Sequence, residues 1–295
     1  MTLTRRDAGL LVLLTLMWGV NWPMMKFSLR EITPLWFRAL TMSGGALMLM
    51  LFYLARGSTM RLPRSEWARV AWLALPNIVG WHFFSILGLK ELASGRAAIL
   101  GFTMPVWTVL IGLLLTHDRM TPRVWISVAG AAAAVALLSA QELAQLAGRP
   151  LGIVWMQLAA VSWALGTLLV RRSSTALPVE ALTVWMMMVG AAFFWAVAPL
   201  AEPAPDFAAF SAPMWASLAY GVFLNYGWAQ VLWFGMARRL PPAASAFSIM
   251  AVPLVGTLGA TVIVGETPGT LDWLAAAAVV TAIASALLPR RAPGP

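Results

Sequence analysis

The chain has 295 residues, of which 61% are hydrophobic and only 11% charged, and it carries a net charge of +9 at pH 7. Soluble domains carry about 25% charged residues, and at a mean hydropathy of +0.81 no single soluble core could absorb this apolar surface. The composition excludes a soluble globular enzyme and places the chain among membrane proteins. Cysteine is absent, which removes disulfides and thiolate chemistry without identifying a compartment.

Ten apolar runs are predicted to be membrane helices: Ala8 to Met25, Pro34 to Ala55, Ala68 to Leu89, Ala97 to Thr116, Val124 to Ala140, Leu151 to Val170, Leu182 to Leu200, Pro213 to Met236, Ala243 to Val264 and Leu271 to Leu288. Each is close to the roughly 20 residues that cross a hydrocarbon layer. They are too long and continuous for barrel strands. Arg5 and Arg6 precede the first run, but no A-x-A site follows and nine further runs do, so it is read as a retained helix.

The first run contains "TLMWGVNWPMMK". Pro23 cannot donate to the carbonyl of Gly19, so "GVNWP" frees a backbone acceptor one turn before a kink. Asn21 there either bonds across to another helix or, with Trp22, meets a substrate. In the third run, "NIVGWHFF" spaces Asn77 and Trp81 four residues apart, on one face of an α-helix. His82 follows, either as a packing group or as a titrating one. The fourth run holds "GFTMPVWT" and the ninth "SIMAVPLVG". Pro105 and Pro253 in these runs free the carbonyls of Gly101 and Ile249, giving either broken helices or structural kinks. "GAAAAVALLSA" in the fifth run and "AAAAVVTAIASA" in the tenth permit close helix approach, inside one subunit or at a dimer contact. In the eighth, "NYGWAQ" sets Tyr226 and Gln230 on one face. Asn21, Asn77, His82, Asn225, Tyr226 and Gln230 all interrupt apolar runs, and lipid cannot satisfy them, so they face other helices or a cavity. Most of the 16 tryptophans read as interfacial anchors or lipid-facing bulk, and the 17 methionines as adaptable packing.

A shift of 148 residues superposes Trp67 on Trp215, Asn77 on Asn225, Pro105 on Pro253, Asp118 on Glu266 and Trp125 on Trp273. Near the start of the halves the shift is 145, matching Trp18 with Trp163 and Lys26 with Arg171, while Asn21 and Pro23 meet Gly166 and Leu168. The expected fold is therefore an all-α membrane protein of ten transmembrane helices. Two five-helix repeats, 1–145 and 146–295, make one integrated transport domain. Five is odd, so the second repeat enters the membrane inverted, as in alternating-access transporters with a site between the halves.

With the N-terminus in the cytoplasm, 14 of the 20 basic residues fall in inside segments: Arg5, Arg6, Arg56, Arg61, Arg64, Arg69, Arg119, Arg123, Arg171, Arg172, Arg238, Arg239, Arg290 and Arg291. Lys26, Arg30, Arg38, Lys90, Arg96 and Arg149 fall outside. This asymmetry predicts cytoplasmic termini. The arginines form no tract, so contact with anionic lipid accounts for the charge and no nucleic-acid partner is expected.

No acid lies near the middle of a run; Asp118, Glu180, Glu266 and Asp272 sit near helix ends. A buried carboxylate relay for strong proton coupling is not supported. H-E-x-x-H, G-x-S-x-G and Walker A motifs are absent, so neither an enzyme nor a metal or other cofactor is expected.

The ten-helix count, the duplicated halves, "WGVNWPMMK", "GRAAILGFTMPVWTVLIGLLLTHDRMT" and "PPAASAFSIMAVPLVGTLGATVIVGETPG" together resemble the drug/metabolite transporter superfamily. The likeness is to its ten-helix EamA-type exporters of the inner membrane, and within these to the aromatic amino-acid exporter branch. The resemblance runs from about Ala8 to Leu288. The family's fourth and ninth helices end in an acid, usually as "GE"; the ninth run here keeps it in "VGETPG", and the fourth departs with His117 and Asp118. What the resemblance implies is a multi-pass protein of the bacterial inner membrane, monomer or homodimer, exporting amino acids and related metabolites from a central cavity. The substrate-binding set expected from intramembrane polarity and the repeat is Asn21, Trp22, Asn77, Trp81, His82, Trp107, Trp163, Tyr226 and Gln230. Export of nucleosides or cationic drugs, and a membrane scaffold without transport, remain the alternatives.

Overall fold

The structure is a computed structural model that describes residues 4–116, 120–144, 150–237 and 242–287. His117, Asp118, Arg119, Arg149, Arg238, Arg239, Arg290 and Arg291 lie outside the described residues. Helices account for nearly all regular structure: α1 (Arg5–Ser28), α2 (Pro34–Ala55), α3 (Arg64–Glu91), α4 (Ser94–Gly101, resuming as Met104–Thr116), α5 (Pro122–Ala144), α6 (Pro150–Arg172), α7 (Val179–Ala201), α8 (Ala212–Ala219, Tyr220–Trp228 and Ala229–Ala237 end to end), α9 (Pro242–Ile263) and α10 (Thr270–Leu287). Among the described residues, the seven rods α1 to α7 are long and apolar enough to cross a membrane. The apolar stretches Met250–Ile263 and Thr270–Ser285 are shorter.

Local chemistry sets the ends. Thr4 caps α1 by accepting from the Asp7 amide, Pro34 opens α2 at a position that needs no N–H donor, and Ser211 caps α8 by accepting from the Met214 amide. Gly57 (φ 74°) and Gly265 (φ 75°) end α2 and α9 in the left-handed region, which a side chain resists.

The helices pack as α1 on α9, α4 on α6, α3 on α6, α1 on α8, α2 on α7 and α8, α3 on α7, α4 on α9, and α5 on α10. Leu14, Phe37, Met42, Leu49, Ile86, Leu89 and Phe194 are fully enclosed between them. Outward-facing residues are apolar as well: Leu200 and Val262 are each 86% exposed, and Trp67, Trp72 and Leu114 also face out. Such a belt suits lipid and not water.

The small-residue tracts meet each other inside this one chain. A Cβ on Gly130 would lie 2.8 Å from the Ala278 carbonyl oxygen, so only glycine permits that approach. Ser127 donates to the Ala282 carbonyl (2.9 Å) and Ser285 to that of Arg123 (2.8 Å), closing the α5/α10 seam. Close packing within one subunit is thus a role these tracts fill.

Two stretches are wound wider than an α-helix. Leu75–Gly80 in α3 and Tyr220–Trp228 in α8 are wound as π-helix, with i to i+5 bonds. The wider winding leaves residues four apart on roughly one side, and Asn77 and Trp81 both face α6, against Gly166 and Trp163. The two proline helices also differ. α4 opens at Phe102–Thr103, just before Pro105, whereas α9 runs unbroken through Pro253.

Candidate functional site

Three groups of polar and aromatic side chains occupy the interior, and two contain expected site residues from more than one helix. In the first, the Trp22 indole of α1 is 4% exposed and meets Trp81 of α3 edge-on (centroids 6.4 Å) and Phe102 of the α4 break (6.4 Å). Trp81 in turn meets Trp163 of α6 at 5.3 Å. The row therefore runs α1, α3, α6. Gly101 makes room for it, because a Cβ there would lie 2.9 Å from Trp22 Cη2. Indoles in edge contact form a stiff apolar wall with an electron-rich face.

In the second group, Trp107 lies beside α6. Its Nε1 donates to Gln157 Oε1 (3.0 Å), and Thr103 Oγ1 lies 3.3 Å from the same oxygen. The Leu100 carbonyl at the α4 break accepts from the Thr103 amide (3.2 Å) and hydroxyl (2.7 Å). Gln157 and Thr103 thus satisfy backbone polarity that the interruption would leave bare. Neither had been expected at the site.

The third group is the most charged. Arg38 of α2 is 2% exposed; its Nη1 donates to Tyr226 Oη (2.9 Å) and its Nη2 to Ser85 Oγ (3.1 Å). Tyr226 Oη also lies 3.1 Å from His82 Nδ1. Arg38 Nε has no partner, and no carboxylate pairs with the guanidinium among the described residues. Arginine stays charged in proteins, and a buried charge without a counter-ion costs several kcal/mol. The sequence reading had assigned Arg38 to an outside helix end; its side chain instead lies in the interior.

The remaining candidates stand apart. Asn21 Nδ2 donates to Met25 Sδ of its own helix at 3.5 Å, so it does not tie α1 to a neighbour. The Gly19 segment is pressed against Val252 and Val255 of α9, and a Cβ on Gly256 would lie 3.4 Å from the Gly19 carbonyl oxygen. The "NWP" opening is therefore covered by α9. Asn77, Asn225 and Gln230 are half-buried and make no side-chain hydrogen bond among the described residues. Asn77 packs backbone-first on Gly166 of α6. Trp18 and Trp163, matched by the 145-residue shift, each meet a tryptophan distant in sequence, Trp233 (5.5 Å) and Trp81.

At the end where α1 and α3 finish and α2 and α4 begin, three carboxylates hold helix N-termini. Glu202 accepts from the Leu35 amide (2.9 Å), Glu266 from the Ser94 and Gly95 amides (2.7 and 3.2 Å) and Glu31 from the Ser211 amide (2.8 Å) and hydroxyl (2.6 Å). Each sits where the helix dipole favours negative charge. The Ser211 bonds hold the Glu31 carboxyl below its ordinary pKa. The acid of "VGETPG" thus fastens α9 to the start of α4, with Gly265 turning the chain toward it. Two adjoining clefts open at this end, of about 330 and 450 Å³, sharing Leu29, Arg30 and Lys90 in their walls.

The description "EamA-like transporter family" matches the chain over residues 8–140 and 150–288. The chain belongs to the EamA-like transporter family. It is similar to the uncharacterized transporter YvbV of Bacillus subtilis (strain 168), 28% identical over 286 residues, with 92% of this chain and 87% of that one covered. It is also similar to the uncharacterized inner membrane transporter YedA of Escherichia coli (strain K12), 23% identical over 279 residues, covering 93% and 88%. A solved crystal structure with 23% identity superposes with a TM-score of 0.67 over 96% of this chain and 97% of that one, a likeness of fold. An EamA-like protein is a multi-pass membrane transporter of small molecules and not an enzyme, which agrees with the apolar rods described above.

Proposed function

We propose that this EamA-like protein exports small metabolites by alternating access, with amino acids bearing aromatic or other apolar side chains as the best-fitting substrates. The observation that carries the reading is the row Trp22, Trp81, Trp163, contributed by helices from both halves. Indoles in edge contact cover an apolar side chain, and their faces attract an ammonium group. Trp22, Trp81 and Trp163 would line the body of the substrate, with His82 and Tyr226 beside them and Trp107 behind Gln157. Asn21, Asn77 and Gln230 would make contact only in a conformation that uncovers them.

Ten transmembrane helices in two inverted repeats, 1–145 and 146–295, are part of the same proposal. Replacing every helix by the one five places along maps most of the larger packing pairs onto one another: α1/α9 becomes α6/α4, α3/α6 becomes α8/α1, α2/α8 becomes α7/α3, and α2/α7, α4/α9 and α5/α10 map onto themselves, while the contacts of α4 with α10 and with α1 have no counterpart of similar extent. The π-wound stretches lie at the 148-residue shift too, with Asn77 in one and Asn225 in the other. Both features support duplication, and an odd repeat implies inversion. Inner-membrane residence is supported by the likeness to YedA, and cytoplasmic termini by the arginine asymmetry.

Counterflow of labelled phenylalanine into proteoliposomes, competed by other amino acids, nucleosides and cationic drugs, tests the reading. Exchange is expected for phenylalanine and weakened in Trp81→Ala. Exchange of nucleosides or cationic drugs but of no amino acid would refute the substrate class, and exchange of no compound at all would favour a static scaffold.

A further inference from the structure

We propose that Arg38 holds a carboxylate of the transported molecule, which makes this a carrier of carboxylate-bearing compounds with an apolar or aromatic body. The proposal rests on the transport reading above and names the polar half of its substrate. Its ground is an unbalanced charge: Arg38 is 2% exposed, its two bonded partners Tyr226 and Ser85 are neutral hydroxyls, and Nε is buried without a partner. Hydroxyls can satisfy N–H donors but cannot cancel charge. A pin between α2, α3 and α8 would be served by an uncharged donor at far lower desolvation cost. What a guanidinium adds is a flat fork that takes a carboxylate through two parallel N–H bonds, and Nε forms one tine of that fork.

The surroundings suit such an occupant. Tyr226 Oη, shared between Arg38 and His82, can turn its proton toward an incoming oxygen. Trp81, next to His82 in the chain, begins the aromatic row that would cover the rest of the molecule. Pro34, one helical turn from Arg38 on the same face of α2, lines the 450 Å³ cleft together with Arg30 and Lys90. Glu31 and Glu202 line the same cleft, so its mouth is charge-balanced, and the bound site lies about 5 Å further in along the helix. The same arrangement disfavours cationic drugs, which would meet a buried positive charge without an acid beside it.

The test uses the purified full-length protein, with phenylacetate and its uncharged analogue phenylacetamide as probes and tryptophan fluorescence as the readout. A charge-assisted pair predicts roughly 10- to 100-fold tighter binding of the carboxylate. Arg38→Gln should abolish that preference while the ligand-free protein stays at least as resistant to unfolding as the parent. Arg38→Lys, which keeps the charge and loses the fork, should retain a reduced preference and serves if the glutamine variant does not fold. Equal binding of the two probes by the parent protein, or an unchanged preference in a folded Arg38 variant, would overturn the proposal. Counterflow separates the two claims: exchange without carboxylate preference refutes the Arg38 assignment and leaves transport standing. Carboxylate-selective binding without exchange does the reverse.

Discussion

Replacing Gly166 by alanine puts the contact between α3 and α6 under direct test. A Cβ at Gly166 would lie 2.6 Å from Asn77 Cβ, 2.7 Å from its Cα and 2.8 Å from its amide nitrogen. Two of those three atoms are backbone, so no rotamer change can relieve the clash, and the helices must part by most of an ångström to reach ordinary contact. Overpacking of this kind costs about 1–3 kcal/mol. The change also removes a helix-interior glycine, which returns about 0.5–1 kcal/mol. Gly9→Ala in α1, where an added Cβ meets nothing within 4 Å, receives the propensity gain without the clash. The difference between the two variants isolates the steric term, about 1–3 kcal/mol in favour of Gly9→Ala. SDS-driven unfolding in mixed micelles, followed by tryptophan emission, reads it. Because Trp163 and Trp81 flank the same seam, the folded Gly166→Ala protein should also show shifted emission. Equal unfolding midpoints for the two variants would refute the backbone contact, and with it the placement of Asn77 against α6.

Three further outcomes follow from the charged helix ends. Glu266→Ala should destabilise the fold by about 1–3 kcal/mol, because the buried amide ends of α4 lose a charge-assisted acceptor; an unfolding midpoint equal to that of the parent protein would count against this cap. Asp272→Ala leaves Arg96, 13% exposed at its side chain, without the carboxylate that Nε contacts at 2.7 Å, and removing one partner of a buried pair costs about 3–5 kcal/mol. Double substitution with Arg96→Ala should recover part of that loss in the same unfolding assay. Glu31 has its pKa lowered in the folded state by its bonds to Ser211, so the stabilisation it contributes is present above the ordinary glutamate pKa and is lost as pH falls through the folded value. The protection of the Ser211 amide relative to its intrinsic hydrogen-exchange rate should therefore fall on acidification in the parent protein but not in Glu31→Gln.

The apolar runs were legible because hydropathy acts locally. The run Pro34 to Ala55 coincides with α2, since Pro34 can open a helix and the polar loop after Ala55 cannot continue one in lipid. The match of Asn77 with Asn225 was legible in the same way, since the two recur at a fixed shift whatever surrounds them. Side-chain direction inside the runs was not. Tyr226 and Gln230 read alike as polar groups in one run, yet Tyr226 is buried against Arg38 while Gln230 is half-buried without a side-chain hydrogen bond among the described residues, a difference decided by how α8 seats against its neighbours. Pro105 and Pro253 look alike in sequence, yet only α4 opens. There the Thr103 hydroxyl satisfies the Leu100 carbonyl.

Arg38 marks the boundary of sequence reading most sharply. Counted as an outside basic residue, it obeyed the charge asymmetry, because that rule sorts residues by loop and takes no account of burial. One signal was nevertheless present: "PLWFRALTM" places the arginine a full turn inside a run, with no acid within four residues on either side. A charge that deep must snorkel out, find an acid on another helix, or wait for a ligand. Its side chain is 2% exposed, which removes the first option, and it has no carboxylate partner among the described residues, which removes the second. The neutral hydroxyls of Tyr226 and Ser85 that meet it instead come into view only once three helices are placed around the guanidinium, and that placement is tertiary information.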